Sequence, residues 1–263
     1  MDLSISQFQL FFLVFIRIAT MVVLMPVFGY RGIPNQAKIG LALFLTMLIF
    51  PIIQDSKAAM LPFGFAQGRP GVISFALLVG KEVLAGAVIG FATVLLFIGV
   101  QMSGRIVDIQ MGFGIANVID PQSQARISLI GQFEYLLAIL IFLSIDGHHF
   151  LLRALEKSFE LIPPGGAQFP SMLTEKMVTL TGGLFEIAVQ IGAPVIAALF
   201  MASVVLGLIA RAMPQMNVFI VGLPLKIGVG LLAIALSLPL FLYLFKALFA
   251  QFQRDILTLV RLL

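Results

Sequence analysis

The chain has 263 residues, 60% of them hydrophobic and 11% charged, with a mean hydropathy of +1.12 and a formal charge of +4. A water-soluble domain has about a quarter of its residues charged, and it cannot hide this much apolar surface, so the composition excludes a soluble enzyme and calls for lipid or a large assembly as cover. The absence of cysteine excludes disulfides, thiolate metal ligands and thiol nucleophiles, and the 16 scattered Lys and Arg residues form no cluster suited to nucleic acid.

The expected architecture is an all-α membrane protein in a single domain, residues 1–263, with six apolar segments near 8–29, 38–53, 72–103, 127–152, 177–209 and 218–250. A spanning helix needs about 20 apolar residues. The second segment is therefore short, and the third, fifth and sixth are long enough to be tilted, kinked or folded as hairpins. No Lys or Arg precedes the first segment, and Asp2 stands there instead, so it reads as a retained helix rather than a cleavable signal. Arg17 lies within it. The third segment carries the adjacent charges Lys81 and Glu82, then Gly86-Ala-Val-Ile-Gly90. That GxxxG spacing lets two helix backbones approach closely where lipid supplies no hydrophobic drive between helices.

Residues 101–126 interrupt the apolar pattern. The stretch is too polar for a spanning helix, yet its middle, Met111 to Ile119, is apolar. Gly112 and Gly114 permit unusual backbone angles, and Asp120-Pro121 ends the run in a turn. Irregular backbone at membrane depth persists only inside protein or beside a water-filled cavity. The expectation is a re-entrant or pore-facing loop over about 104–127, with an amphipathic surface segment as the alternative.

The fourth segment contains Glu134 and ends on Asp146-Gly147-His148-His149. Two histidines and a carboxylate are metal-ligand types, but adjacent histidines on a helix diverge and no fourth ligand is near, so no metal or other cofactor is expected. A polar connection over 153–176 follows, punctuated by Pro163-Pro164-Gly165-Gly166. The fifth segment carries Glu186 and Pro194; the sixth carries Pro224, Lys226 and Pro239. The prolines are expected kinks or breaks. With six crossings, eight basic residues fall on the side of the termini and five on the other, a slight lean towards cytoplasmic termini.

Each charge inside these segments costs about 2.5–3.5 kcal/mol at a bilayer centre. Arg17, Lys81, Glu82, Glu134, Glu186 and Lys226 therefore line a proton or ion path, or pair with each other and with partner subunits at interfaces; the second reading is preferred. No nucleophile, metal or phosphate-cradling motif accompanies them, so the chain is not expected to be an enzyme.

The run Gln110-Met-Gly-Phe-Gly-Ile-Ala-Asn-Val-Ile-Asp-Pro121 resembles the signature of the FliR family of the bacterial flagellar type III export gate. Arg31-Gly-Ile-Pro34, Asp146-Gly147-His148 and the stretch from Leu206 to Pro224 agree with it in order. The resemblance implies an inner-membrane subunit at the flagellar basal body that assembles with FliP and FliQ, with FlhB docked on the assembly, to pass unfolded flagellar proteins. It implies tilted helical hairpins, a FliP-like part joined to a FliQ-like hairpin, and a gate that rises out of the bilayer plane. It also implies that Met111 through about Ile127 form a plug of the closed pore, with Met111, Gly112, Phe113, Gly114, Ile115, Asn117, Val118, Asp120 and Pro121 as its residues. The rival reading is a small-solute secondary transporter, for which the internal repeat (Arg31 to Pro34 against Arg211 to Pro214) is weak.

Overall fold

A computed structural model of the chain describes residues 5–30, 32–55, 72–113, 128–215 and 217–263. Seven helices and no strand occur among the described residues: α1 (Ile5–Leu24), α2 (Asn35–Asp55), α3 (Val72–Met111), α4 (Leu129–Ser144), α5 (Gly147–Leu161), α6 (Ser171–Ala212) and α7 (Val218–Leu262). Five of them are long and apolar enough to cross a membrane, and α4 with α5 makes a sixth candidate, bent by 69°. At 1.5 Å per residue the 20 residues of α1 reach about 30 Å, one hydrocarbon thickness. The 40, 42 and 45 residues of α3, α6 and α7 reach about twice that.

Three expectations need correction. First, α3 does not end near residue 103 but continues to Met111. The reason is amphipathicity: Ser103, Gly104, Val107, Asp108 and Met111 form one buried stripe at helical spacing, while Arg105 and Ile109 are exposed. Second, the fourth apolar segment is two helices, and the supposed polar connection begins with amphipathic α5, which buries Leu151, Ala154, Leu155, Ser158 and Phe159 on one face. The break falls at Asp146, a non-glycine residue at φ 56° and ψ 31°. Aspartate is among the few residues that tolerate this left-handed conformation, and its carbonyl starts α5 by accepting the Phe150 N–H at 3.2 Å. Third, helix runs without interruption through Pro224 in α7, so it does not break the segment there; helix likewise continues through Pro194 in α6 and Pro239 in α7.

Two compact units emerge. One comprises Met1–Leu95, Leu143–Thr181 and Gln251–Leu263; the other comprises Leu96–Phe142 and Gly182–Ala250. In the first, α1 buries Leu10, Leu13, Val14, Arg17, Ile18, Met21 and Val22, a stripe of period 3.6. Gly86 and Gly90 let α3 lie directly on that stripe: a methyl added at Gly86 would meet the Arg17 carbonyl oxygen at 2.5 Å, and one at Gly90 would meet Leu24 Cβ at 2.6 Å. The GxxxG face thus packs within the chain.

The second unit is tied by aromatic edges. Phe97 on α3 contacts Tyr135 and Phe142 on α4 and Phe245 on α7, at centroid separations of 6.0, 5.5 and 6.1 Å, and Phe142 contacts Phe249 at 5.5 Å. All four pairs are edge-to-face, the arrangement the ring quadrupoles favour, each contributing about 0.5–1.5 kcal/mol beyond area burial. Gly104 and Gly131 bring α3 and α4 into backbone contact: a Cβ on Gly104 would stand 2.5 Å from the Gly131 Cα.

Candidate functional site

The buried charges resolve into different situations. Arg17 and Glu82 are both fully buried and form a bidentate pair within the first unit: Nε donates to Oε2 at 2.6 Å and Nη2 to Oε1 at 3.1 Å. Nη1 of the guanidinium is also used. Nη1 donates to the carbonyl oxygens of Ser158 and Ile162, each at 3.2 Å, and the cation lies 4.4 Å from the Phe159 ring centroid. Those carbonyls close the C-terminal end of α5, where a cation is favoured by the helix dipole. Glu82 Oε1 also accepts the Gly165 N–H at 2.6 Å. Gly165 takes a φ of 81° in a turn closed by the Gly166 N–H on the Pro163 carbonyl, the third-position geometry that glycine supplies. The pair therefore pins α1, α3, the end of α5 and the Pro163–Gly166 turn together.

The other charges are arranged otherwise. Lys81 is half-buried and has no ion pair among the described residues. Glu186 is exposed and accepts the Gln190 side-chain amide at 3.0 Å. Lys226 is half-buried at a cleft of about 450 Å³ lined also by Gln110 and the apolar α6 residues Val189, Ile196 and Phe200. Glu134 is buried on α4, and its Oε2 finds no hydrogen-bond partner among the described residues; nor do the buried Ser103 Oγ and Asp108 Oδ1 on α3.

Of the expected plug residues, Gly114, Ile115, Asn117, Val118, Asp120 and Pro121 lie outside the described residues. The structure places Met111, Gly112 and Phe113. Met111 is the last residue of α3 and fully buried, in an apolar cluster with Val107, Ile130, Val195, Leu199 and Ile234, against which Phe113 also packs. Met111 sits in the core of the second unit. Gly112 then turns the chain at φ 96°. The expected loop therefore starts after Met111, with 104–111 helical.

The adjacent histidines do not diverge as expected. In the first turn of α5 the His148 and His149 ring centroids lie 4.1 Å apart with the planes tilted by 36°, and His149 Nδ1 lies 3.1 Å from Asp146 Oδ1. The left-handed Asp146 immediately before the helix brings its carboxylate back over them. Their ligand atoms lie within 4.8 Å of one another, but they number three where a structural zinc takes four, and two of the residues are exposed.

The preferred sequence reading, that the buried charges pair, holds for Arg17 and Glu82; that these two meet each other, and that the Gly165 N–H joins them, was not foreseen. One signal was available: Arg17 falls in register with the apolar stripe of α1, a position only a partnered charge tolerates.

These features define an all-α membrane protein whose described polar groups assemble no nucleophile and no closed metal shell. The chain belongs to the bacterial export proteins, family 1, which it matches over residues 8–252. Its relatives include the flagellar biosynthetic protein FliR of Bacillus subtilis, 38% identical over 267 residues and 99% of each chain. FliR of Escherichia coli is 28% identical over 94% of this chain and 91% of its own. The secretion system apparatus protein SsaT of Salmonella typhimurium is 29% identical over 76% of this chain and 75% of its own.

Proposed function

We propose that the chain is a pore subunit of the bacterial flagellar type III protein export gate, acting as one gate domain in the inner membrane at the flagellar basal body. The observation that carries this reading is end-to-end similarity, over 99% of both chains, to a flagellar biosynthetic protein. The flagellar choice over a virulence system rests on the form of the Gln110–Pro121 motif. In this reading the subunit assembles with FliP and FliQ, receives FlhB, and passes unfolded flagellar proteins. It has no catalytic residues of its own, and the energy for export comes from elsewhere in the apparatus.

Physical support comes from what the chain leaves uncovered. Over the most apolar 18-residue stretch of each helix, 61% of α3 is buried but only 22% of α6 and 17% of α7. Phe185, Phe200, Leu232, Leu236 and Tyr243 are among the large side chains left exposed. Sister subunits and lipid cover these faces, and Lys81, Glu134, Glu186 and Lys226 find partners at such interfaces. The segment after α3 closes the pore: Phe113, Ile115 and Val118 fill the lumen, Gly112 and Gly114 let the segment swing, and Asn117, Asp120 and Pro121 shape its return.

The test is assembly and export together. A tagged copy co-purifies with FliP and FliQ from membranes, and deletion of the chain stops export of flagellar proteins. A tagged copy that restores export yet never co-purifies with them contradicts the assignment.

A further inference from the structure

We propose that the cleft beside Lys226 binds one anionic phospholipid, with the phosphate on the lysine and one acyl chain laid along α6. The proposal needs only a membrane-embedded chain and does not rest on the export reading above.

The cleft lies wholly within the second unit. Its long wall is one face of α6: Val189, Ala193, Ala197 and Phe200 recur at helical spacing, and Ser203 ends the row. At 1.5 Å per residue that face is about 21 Å long, more than the depth of one leaflet, about 15 Å. The helices α6 and α7 run antiparallel, joined by a short turn, and Val195 and Leu199 of α6 share a cluster with Ile234 of α7. Counting from that contact towards the turn sets Lys226 level with Ser203, at one end of the wall. From Phe200 to Val189 the wall presents apolar side chains alone.

Lys226 is half-buried and forms no ion pair among the described residues. A cation at an apolar wall calls for an anion, and an ammonium on a flexible stem binds phosphate as a point charge. Val189, Ala193, Ala197 and Phe200 are exposed, so no described part of this chain covers the wall. Positive charge at one end and bare hydrocarbon along the rest complement a charged amphiphile. A carboxylate on a neighbouring helix would satisfy the lysine equally. The trough at Ala193 and Ala197, between the bulkier Val189 and Phe200, favours a thin acyl chain over a helix about 10–12 Å across.

The experiment equilibrates the full chain in detergent with equal amounts of phosphatidylglycerol and phosphatidylcholine of matched acyl chains, and counts retained lipid by native mass spectrometry. The parent retains one phospholipid and prefers phosphatidylglycerol about five-fold, the factor one basic residue near an anionic headgroup supplies. Lys226→Gln loses the preference, whereas Lys246→Gln, an exposed lysine elsewhere on α7, keeps it. Ala197→Trp fills the trough and retains no lipid; Ala193→Trp, one turn away, serves where Ala197→Trp fails to fold. A parent without preference overturns the proposal, as does equal loss from the two lysine variants or parental retention in the tryptophan variants. Lys226→Gln with parental lipid retention but reduced recovery of co-purifying subunits assigns the cation to a partner's carboxylate, and overturns the lipid site as well.

Discussion

Three glycines of α3 and four of α6 and α7 occupy opposite situations. Gly86 and Gly90 are pressed against α1, and Gly104 against Gly131, so a side chain at any of them would strike backbone or Cβ atoms of the same chain. Gly182, Gly183 and Gly207 on α6 and Gly228 on α7 have nothing within 4 Å of the position a Cβ would take. The same contrast holds for charge. The first unit buries Arg17 and Glu82 as a bidentate pair, whereas among the described residues the second buries Ser103, Asp108 and Glu134, each with an oxygen left unpartnered, a condition shared in the first unit by His148 Nδ1. The first region completes its packing around that pair, although its α2 is only 17% buried over its apolar stretch. The second carries the marks of helices that finish packing against others, since small residues are what membrane interfaces use to bring helices together.

The largest effect that would break this contrast lies at the knot. Glu82→Ala leaves the Arg17 cation buried without its counter-ion and should cost about 3–5 kcal/mol, enough to abolish accumulation of the folded chain. Replacing both residues, Arg17→Met with Glu82→Leu, should recover part of that loss, because removing the pair removes the stranded charge as well. Membrane-fraction yield and thermal unfolding in detergent measure both. A Glu82→Ala chain as stable as the parent would show that the pair does not hold the unit together.

A smaller effect sharpens the comparison directly. Gly86→Leu, on the covered face, should destabilise the isolated chain by about 1–3 kcal/mol through overpacking against α1. Gly183→Leu, on the open face, should leave the isolated chain's unfolding within about 0.5 kcal/mol of the parent while reducing recovery of FliP and FliQ with it. Equal effects of the two substitutions on the isolated chain would erase the distinction between covered and open faces.

Much of the fold is legible in the sequence because the segments are long and strongly apolar. The exceptions have physical causes. The α5 helix hides behind its charges, Arg153, Glu156, Lys157 and Glu160, although the spacing of Leu151, Ala154, Leu155, Ser158 and Phe159 carried the helical period. The bend at Asp146 gives no proline or glycine signal at the residue that takes the positive φ. The end of α3 was misplaced because Asp108 and Ser103 look too polar for a helix packed among apolar neighbours. For the candidate site, the residue types were legible and the pairings were not. Arg17 meets Glu82 across 65 positions and the end of α5 across 141, separations that no local pattern encodes. Met111 stood out as an apolar residue in a semi-polar stretch, but its burial against Gly230 is a tertiary fact.

The central claim is that the stretch following α3 closes the pore of an assembled gate. Its most direct test is ion flux across membranes containing the gate with residues 112–120 deleted from this subunit, at matched assembly. The account predicts an assembled but leaky gate. An assembled gate with the parent's ion conductance would contradict it.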